Sequence, residues 1–136
     1  MAEYQQLMRE AHEARARAYA PYSGFAVGAA VLASSGKIYA GCNVENRSYG
    51  LTICAERVAL FKAVAAGERR FVAVAVVTDG PEVVAPCGAC RQTLAEFGLE
   101  IVVIASTLTG QQAVFTLQEL LPHPFVPPEA TERHGE

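Results

Sequence analysis

The sequence lacks the features of several protein classes. It has no Trp, and its 11 Lys and Arg residues are outnumbered by 14 Asp and Glu, which gives a formal net charge of −3. Nucleic-acid binding favours dense Lys and Arg that displace counterions from phosphates, so no polynucleotide partner is expected. Charged residues, Gly or Pro interrupt every apolar run well before the roughly 18 residues that a membrane span requires. No membrane association is expected either.

We also expect no secretory signal, because the first ten residues, MAEYQQLMRE, contain no apolar segment. We therefore expect a cytoplasmic protein with reduced thiols. A chain of 136 residues buries roughly two-thirds of its unfolded surface, so one hydrophobic core is stable without disulfides. The four cysteines are then candidates for metal binding rather than for cross-linking.

Hydrophobic patterning predicts an alternation of helices and strands. Apolar residues at three- and four-residue spacing from Tyr4 to Tyr19 predict a first helix that ends before Pro21. The other predicted elements are strands over 25–33 and 38–44, a helix over 55–66, a strand over 71–78, a helix over 87–97, strands over 101–105 and 112–116, and a short helix over 117–121.

This order of elements predicts a three-layer α/β/α sandwich with a five-stranded mixed sheet. Two strand–helix–strand crossovers favour right-handed parallel connections, and a hairpin at each end of the chain adds an antiparallel strand. We expect a single domain over residues 1–126 and a polar C-terminal tail over residues 127–136.

Three cysteines lie at the predicted starts of two helices, namely Cys54 before one helix and Cys87 and Cys90 at the start of the next. Parallel crossovers bring successive helix starts to the same edge of a sheet, so the three thiolates are expected to converge. Three soft thiolates suit one tetrahedral zinc ion per chain, with a fourth position open to water. An open position of this kind is typical of a catalytic site.

Glu56 and Arg57 follow the first of these cysteines closely. A carboxylate beside a zinc-activated water can accept its proton and pass it on, so Glu56 is the candidate catalytic residue. Three thiolates leave the zinc site with a net negative charge, which the two helix N-termini and a nearby guanidinium would offset. Arg57 is favoured for that contact with a thiolate, and Arg91 is a second candidate.

Two other interpretations of the cysteines remain open. The spacing of Cys87 and Cys90 alone is also that of a redox dithiol, although a dithiol does not account for Cys54 or Glu56. Cys42 is a possible fourth ligand of a closed site, but a small packing residue is the better interpretation because free cysteine packs well in cores.

The segments 54–56 and 86–90 together match the signature of zinc-dependent nucleobase deaminases. Over nearly its full length the chain resembles the small, homotetrameric cytidine deaminases. Five motifs in order carry this resemblance: YAPYS at 19–23 with Phe25, GCNVEN at 41–46, CAER at 54–57, PCGACRQ at 86–92, and ELLP at 119–122 with Phe125.

The resemblance implies a cytidine deaminase-like fold and the hydrolytic deamination of cytidine and 2′-deoxycytidine in pyrimidine salvage, with release of ammonia. Zinc-bound hydroxide would attack C4 of the base while Glu56 shuttles protons. The substrate-binding positions implied are Asn43 and Glu45 at the ribose hydroxyl, Phe25 and Phe125 at the base, and also Tyr49 and Ala55. Phe125 and Tyr49 would act across subunit boundaries of a homotetramer.

Arg47 departs from the family pattern, because many relatives carry a small residue there. This difference motivates an alternative, a deaminase of a modified cytosine nucleoside or of a nucleoside antibiotic. A third hypothesis, from a different class, is a zinc-binding module without catalysis. It leaves the presence of Glu56 beside three cysteines without a reason.

Overall fold

The computed structural model describes residues 2–128, and side chains from residue 4 onwards. The described residues form five strands, β1 (Val27–Ala33), β2 (Ile38–Cys42), β3 (Phe71–Thr78), β4 (Val102–Thr107) and β5 (Gln112–Thr116). They also form the helices α1 (Ala2–Arg15), α2 (Ala55–Ala65), α3 (Gly88–Ala95) and α4 (Leu117–Leu120), and a single 3₁₀ turn at Tyr49–Leu51. The predicted tail, 127–136, lies outside the described residues except for its first two positions.

The strands form one sheet in the order β2-β1-β3-β4-β5. β1 pairs antiparallel with both β2 and β3, β3 and β4 pair in parallel, and β4 and β5 pair antiparallel. β2 and β3 therefore run in the same direction with β1 between them. This combination of parallel and antiparallel pairs confirms the predicted mixed sheet. Because α2 follows β2 and α3 follows β3, both helices begin at the same edge of the sheet.

Helices cover both faces of the sheet and complete the predicted three layers. On one face, Leu60 of α2, Leu94 of α3 and Leu117 of α4 pack over the strands in one core cluster. On the other face, Leu7 and Ala11 of α1 pack in a second cluster. β3 contributes buried residues to both clusters, as its uninterrupted apolar sequence predicted. No helix in the described range is long and apolar enough to span a membrane.

Gly28 lets α1 approach β1 closely. A Cβ atom at this position would lie 2.0 Å from the carbonyl oxygen of Ala11 and 2.5 Å from the backbone nitrogen of Arg15. We expect Gly28→Ala to lower the free energy of unfolding by about 3 kcal/mol, because backbone on both sides must move. Gly50→Ala is the matched control, since a Cβ there meets nothing within 4 Å. Urea unfolding measures the difference, and equal stability of the two variants would contradict this packing.

The first helix ends at Arg15, earlier than the predicted end just before Pro21. The next three backbone N–H groups bond to carbonyls three residues back, so a tighter turn continues the spacing that predicted a longer helix. Tyr19 itself pairs with the segment after β2, donating to the carbonyl of Asn43 and accepting from the N–H of Glu45. This long-range pairing pulls the chain out of the helix.

The second strand is also shorter than predicted, because it ends at Cys42 rather than at Val44. Val44 forms isolated bridges with Tyr19 and Ile53 instead. These bridges carry the chain from the sheet towards the start of α2, past the edge at which α3 also begins.

Candidate active site

Three cysteine thiols meet at this edge of the sheet. The Sγ atoms of Cys54, Cys87 and Cys90 all lie within 4.8 Å of one another, and those of Cys54 and Cys87 are 3.6 Å apart. Sulfur ligands at about 2.3 Å around a tetrahedral zinc ion lie about 3.8 Å apart, so this spacing fits zinc. The three thiols are positioned to hold one metal ion.

The three thiols lie at the N-terminal ends of α2 and α3. Cys54 is the N-cap residue of α2 and Cys87 the N-cap residue of α3, both with extended backbone, and Cys90 lies in the first turn of α3. Cys87 therefore lies just before the helix that was predicted to begin at this residue, yet its thiol still joins the group. The partial positive charge of two helix N-termini favours thiolates here.

Arg57 contacts this group from the first turn of α2, where its Nη2 donates to Cys54 Sγ over 3.6 Å. Hydrogen bonds to the Cys54 sulfur lower the pKa of this thiol to about 5, although partial burial opposes the shift. The hydrogen bond from Cys90 is the largest cause, and the hydrogen bond from Arg57 is a smaller one. Interaction with Cys54, together with burial, raises the pKa of the Cys90 thiol. The guanidinium thus supplies positive charge beside the sulfur atoms.

Arg91 is placed differently. Its Nε donates to the carbonyl of Pro86 over 2.7 Å, and its Nη1 donates to the carbonyl of Leu120 over 2.8 Å. Both of these contacts are to backbone oxygens rather than to a thiol. Arg91 therefore ties the segment before Cys87 to the end of α4, and the contact with a thiolate that the sequence left open is made by Arg57.

Cys42 lies outside the three-thiol group. It is half-buried, and its Sγ lies 3.4 Å from the carbonyl oxygen of Arg17. The group of three thus keeps the coordination position that a fourth thiolate would close. The presence of Cys54 beside Cys87 and Cys90 also favours a metal site over a redox pair, which needs two thiols alone.

A cavity of about 280 Å³ opens beside the thiols. Glu56 forms part of its wall and is only 5% exposed. Burial raises the pKa of the Glu56 carboxyl to about 7, so it can take up and release a proton near neutral pH. The cavity is lined by Ser23, Phe25, Val27, Asn43, Glu45, Thr52, Cys54, Ala55, Glu56, Val76, Thr78, Val84, Ala85 and Cys87.

Asn43 and Glu45 lie on the side of the cavity formed by the segment after β2. The Asn43 side chain accepts a hydrogen bond from the N–H of Val27 and donates one to the carbonyl of Phe25, each 2.9 Å long. The Glu45 carboxylate accepts from Ser23 and Tyr22, and the Ser23 hydroxyl is the largest cause that holds the pKa of Glu45 below its usual value. Both side chains are held in place by the protein itself.

Two of the residues selected from the sequence do not line this cavity. Tyr49 and Phe125 are each 73% exposed. Tyr49 packs edge-on against Tyr22, with ring centroids 5.9 Å apart. The backbone of Phe125 exchanges two hydrogen bonds with the side chain of Gln92, at 3.0 and 3.1 Å, which leaves the ring directed away from the core.

Sequence reasoning missed several lining residues. Thr52, Thr78 and Val84 carry no pattern that marks them, because chain segments far apart in sequence bring them to the cavity. Ser23 had a usable signal: a serine before Gly24, in a turn that begins at Pro21, often bonds to the backbone two residues on. Its hydroxyl does so, accepting from the N–H of Phe25 over 2.9 Å.

Comparisons with known proteins agree with this site. The model of the cytidine and deoxycytidylate deaminase zinc-binding region matches residues 1–106. Cytidine deaminases from Sporosarcina psychrophila and Halalkalibacterium halodurans are 51% and 52% identical over 122 residues, which cover 89% of this chain and 90% and 92% of the relatives. The crystal structure of cytidine deaminase from Burkholderia pseudomallei matches with a TM-score of 0.86 and 49% identity, over 90% of this chain and 98% of that one.

The matched family region, a zinc-binding region, contains Cys54, Cys87 and Cys90, and these three thiols are positioned to hold one metal ion. The sequence match, the fold and the thiol geometry agree over most of the chain. The chain therefore belongs to the family of cytidine and deoxycytidylate deaminases.

Proposed function

We propose that this protein hydrolyses cytidine and 2′-deoxycytidine to uridine and 2′-deoxyuridine and releases ammonia. The observation that carries the proposal is the composition of one cavity, which joins a buried carboxyl, Glu56, to the thiol group and to the polar pair Asn43 and Glu45. The arrangement offers acid–base chemistry at one end and hydrogen bonds for a sugar at the other. Relatives that share about half of the sequence are cytidine deaminases.

The proposed chemistry replaces the amino group at C4 of the base by oxygen from water. Cys54, Cys87 and Cys90 would hold a zinc ion, which would supply a Lewis acid that lowers the pKa of a water molecule towards neutrality. Glu56 accepts one proton of the attacking water and delivers it to N3 of the base; it then carries the water's other proton, from the new hydroxyl on C4, to the amino group, and the C4–N bond breaks as the carbonyl forms. The products are the uracil nucleoside and ammonia, so no redox partner is required.

Asn43 and Glu45 are the proposed contacts of the sugar. The Asn43 amide uses one N–H and its oxygen on the backbone, so its second N–H is free to donate. The Glu45 carboxylate is an acceptor. A sugar hydroxyl between them can accept from Asn43 and donate to Glu45, whereas a group that only accepts satisfies one of the two.

Apolar residues complete the proposed site. Phe25 and Ala55 line the cavity and give the base a face to pack against. Phe125 and Tyr49 are proposed to reach the cavity of a neighbouring subunit in a homotetramer. Support comes from the number of large apolar side chains that the single chain leaves exposed, a pattern typical of an interface; they include Tyr19, Tyr22, Val44, Tyr49, Leu51, Phe125 and Val126.

The proposed location is the cytoplasm, where thiolate ligands remain reduced. A free nucleoside is uncharged, and the net charge of −3 offers no general attraction for polynucleotides. We accordingly propose a role in pyrimidine salvage, in which free nucleosides are the substrates.

Ammonia release from a panel of nucleosides tests the substrate. We expect kcat/KM to be highest for cytidine and 2′-deoxycytidine, and lower for cytosine nucleosides substituted on the ring or on the exocyclic amine. Arg47 is exposed, so Arg47→Ala is expected to leave this order unchanged. A modified nucleoside that outperforms both simple ones by more than about tenfold, equivalent to 1.4 kcal/mol, would replace the proposal with the alternative substrate class.

A further inference from the structure

We propose that Ser23 is a positioning residue that presents the Glu45 carboxylate to the nucleoside sugar with a single free acceptor position. The inference rests on the proposed function, in which Glu45 contacts the sugar. It goes further, because it states from how many hydroxyl groups the carboxylate can accept a hydrogen bond and which residue fixes that number.

The loop before β1 wraps around the carboxylate. The backbone N–H groups of Tyr22 and Ser23 both donate to Glu45 Oε1, over 2.9 and 3.1 Å. The Ser23 hydroxyl donates to the other oxygen, Oε2. All three donors come from two adjacent residues that lie more than twenty positions before Glu45 in the chain.

A count of acceptor positions leaves little room for other partners. An ionised carboxylate offers about four acceptor positions, two on each oxygen. Two backbone donors occupy those of Oε1, and the Ser23 hydroxyl occupies one of those of Oε2. One position on Oε2 remains, so Glu45 can accept a hydrogen bond from one sugar hydroxyl.

Ser23 is itself fixed on two sides. Its hydroxyl donates to Glu45 and accepts from the N–H of Phe25 over 2.9 Å. Gly24 adopts a φ of +71°, which favours glycine, and its N–H closes the turn on the carbonyl of Ala20 over 2.9 Å. The side chain of Ser23 therefore links the residue proposed for the sugar to the aromatic residue proposed for the base.

The hydroxyl also affects the charge of Glu45. Its hydrogen bond is the largest of the causes that lower the pKa of this carboxyl, ahead of the backbone donors. A carboxyl kept ionised is an acceptor only, which suits a sugar hydroxyl that must donate. Glu45 also lines a second pocket, whose other titratable side chains are Tyr22 and Tyr49, whereas in the main cavity the other titratable side chains are Cys54, Glu56 and Cys87.

Kinetics of Ser23→Ala in the zinc-loaded protein tests this role. We expect KM for cytidine to rise by about tenfold or more, since tenfold is close to the smallest effect usual for a hydrogen bond to a charged group, with kcat little changed. KM for 2′,3′-dideoxycytidine, whose sugar has no hydroxyl at C2′ or C3′, is expected to stay the same. Ser23→Thr keeps the hydroxyl and is expected to restore cytidine binding.

Ser35→Ala is the matched control, because Ser35 makes the same kind of bond, to Glu68 over 2.7 Å, in the hairpin at the far end of β1 and β2. It is expected to leave both KM values unchanged. A KM that rises equally for both nucleosides in Ser23→Ala, or a Thr variant as impaired as the Ala variant, overturns the inference.

A second readout does not depend on turnover. An NMR titration of ¹³C-labelled glutamate is expected to show the pKa of Glu45 rising towards its ordinary value in Ser23→Ala, and an unchanged value overturns the inference. If the wild-type protein releases no ammonia from cytidine, the proposed function fails, and this titration then decides the role of Ser23 alone.

Discussion

Replacement of Glu56 by Gln is expected to lower kcat/KM for cytidine by about 10³-fold or more, since proton transfer by a positioned side chain contributes about 10²–10⁴ and Glu56 is proposed to make two such transfers. Gln has nearly the same shape, so the 5%-exposed position stays filled. An amide, however, cannot carry a proton between water, N3 and the amino group. Ammonia release and zinc content, measured on the same preparation, check the result.

Glu13→Gln is the control for this variant, because Glu13 lies exposed on α1, on the face of the sheet opposite α2. It makes the same chemical change and is expected to keep full activity. We expect the Glu56 variant to bind one zinc ion per chain and to unfold at the same urea concentration as the wild type. Activity of the Glu56 variant close to wild type would contradict its role as the proton carrier.

Cys87→Ala is expected to abolish zinc binding and to lower activity by at least about 10³-fold, because two thiolates no longer fix the metal that activates water. Cys87 is exposed, and its substitution therefore leaves the hydrophobic core intact. Metal content by mass spectrometry and ammonia release measure the two effects. Loss of both, with retained secondary structure, identifies Cys87 as a ligand.

Cys42→Ala separates the role of the metal group from the general effect of removing a thiol. Cys42 is half-buried and lies outside the group, so this variant is expected to retain zinc and activity. If Cys42→Ala lost zinc as completely as Cys87→Ala, the site would need a fourth thiolate, and the open position for water would not exist.

The convergence of the cysteines was predictable because it follows from topology. Cys54 and Cys87 lie 33 positions apart, yet each immediately precedes a helix that follows one of two strands running in the same direction. The rule that crossovers are right-handed places both helix starts at one edge of the sheet. The prediction needed the order of elements and no knowledge of tertiary contacts.

The end of the first helix was not predictable from local pattern. Apolar spacing continues to Tyr19, but Tyr19 bonds to backbone more than twenty positions away. The partners of Glu45 were missed for the same reason, since its hydrogen-bond donors come from the loop before β1. Periodicity reports how a segment packs and does not report which distant backbone it meets.

The roles of Tyr49 and Phe125 could not be predicted from sequence pattern for a different reason. Family resemblance selected them, and the single chain places them at the surface, outside the lining of the cavity. The role proposed for them, at the cavity of a neighbouring subunit, depends on contacts that lie outside the single chain. Neither hydrophobic pattern nor the fold of one chain can therefore supply that role.

The most direct test of zinc-dependent cytidine deamination is the rate of ammonia release from cytidine before chelation, after removal of the metal, and after addition of one equivalent of zinc. We predict turnover before chelation, loss of turnover on removal of the metal, and recovery with zinc in the proportion of one ion per chain. Turnover that persists in the metal-free protein, or zinc-loaded protein that releases no ammonia from cytidine, would contradict the account.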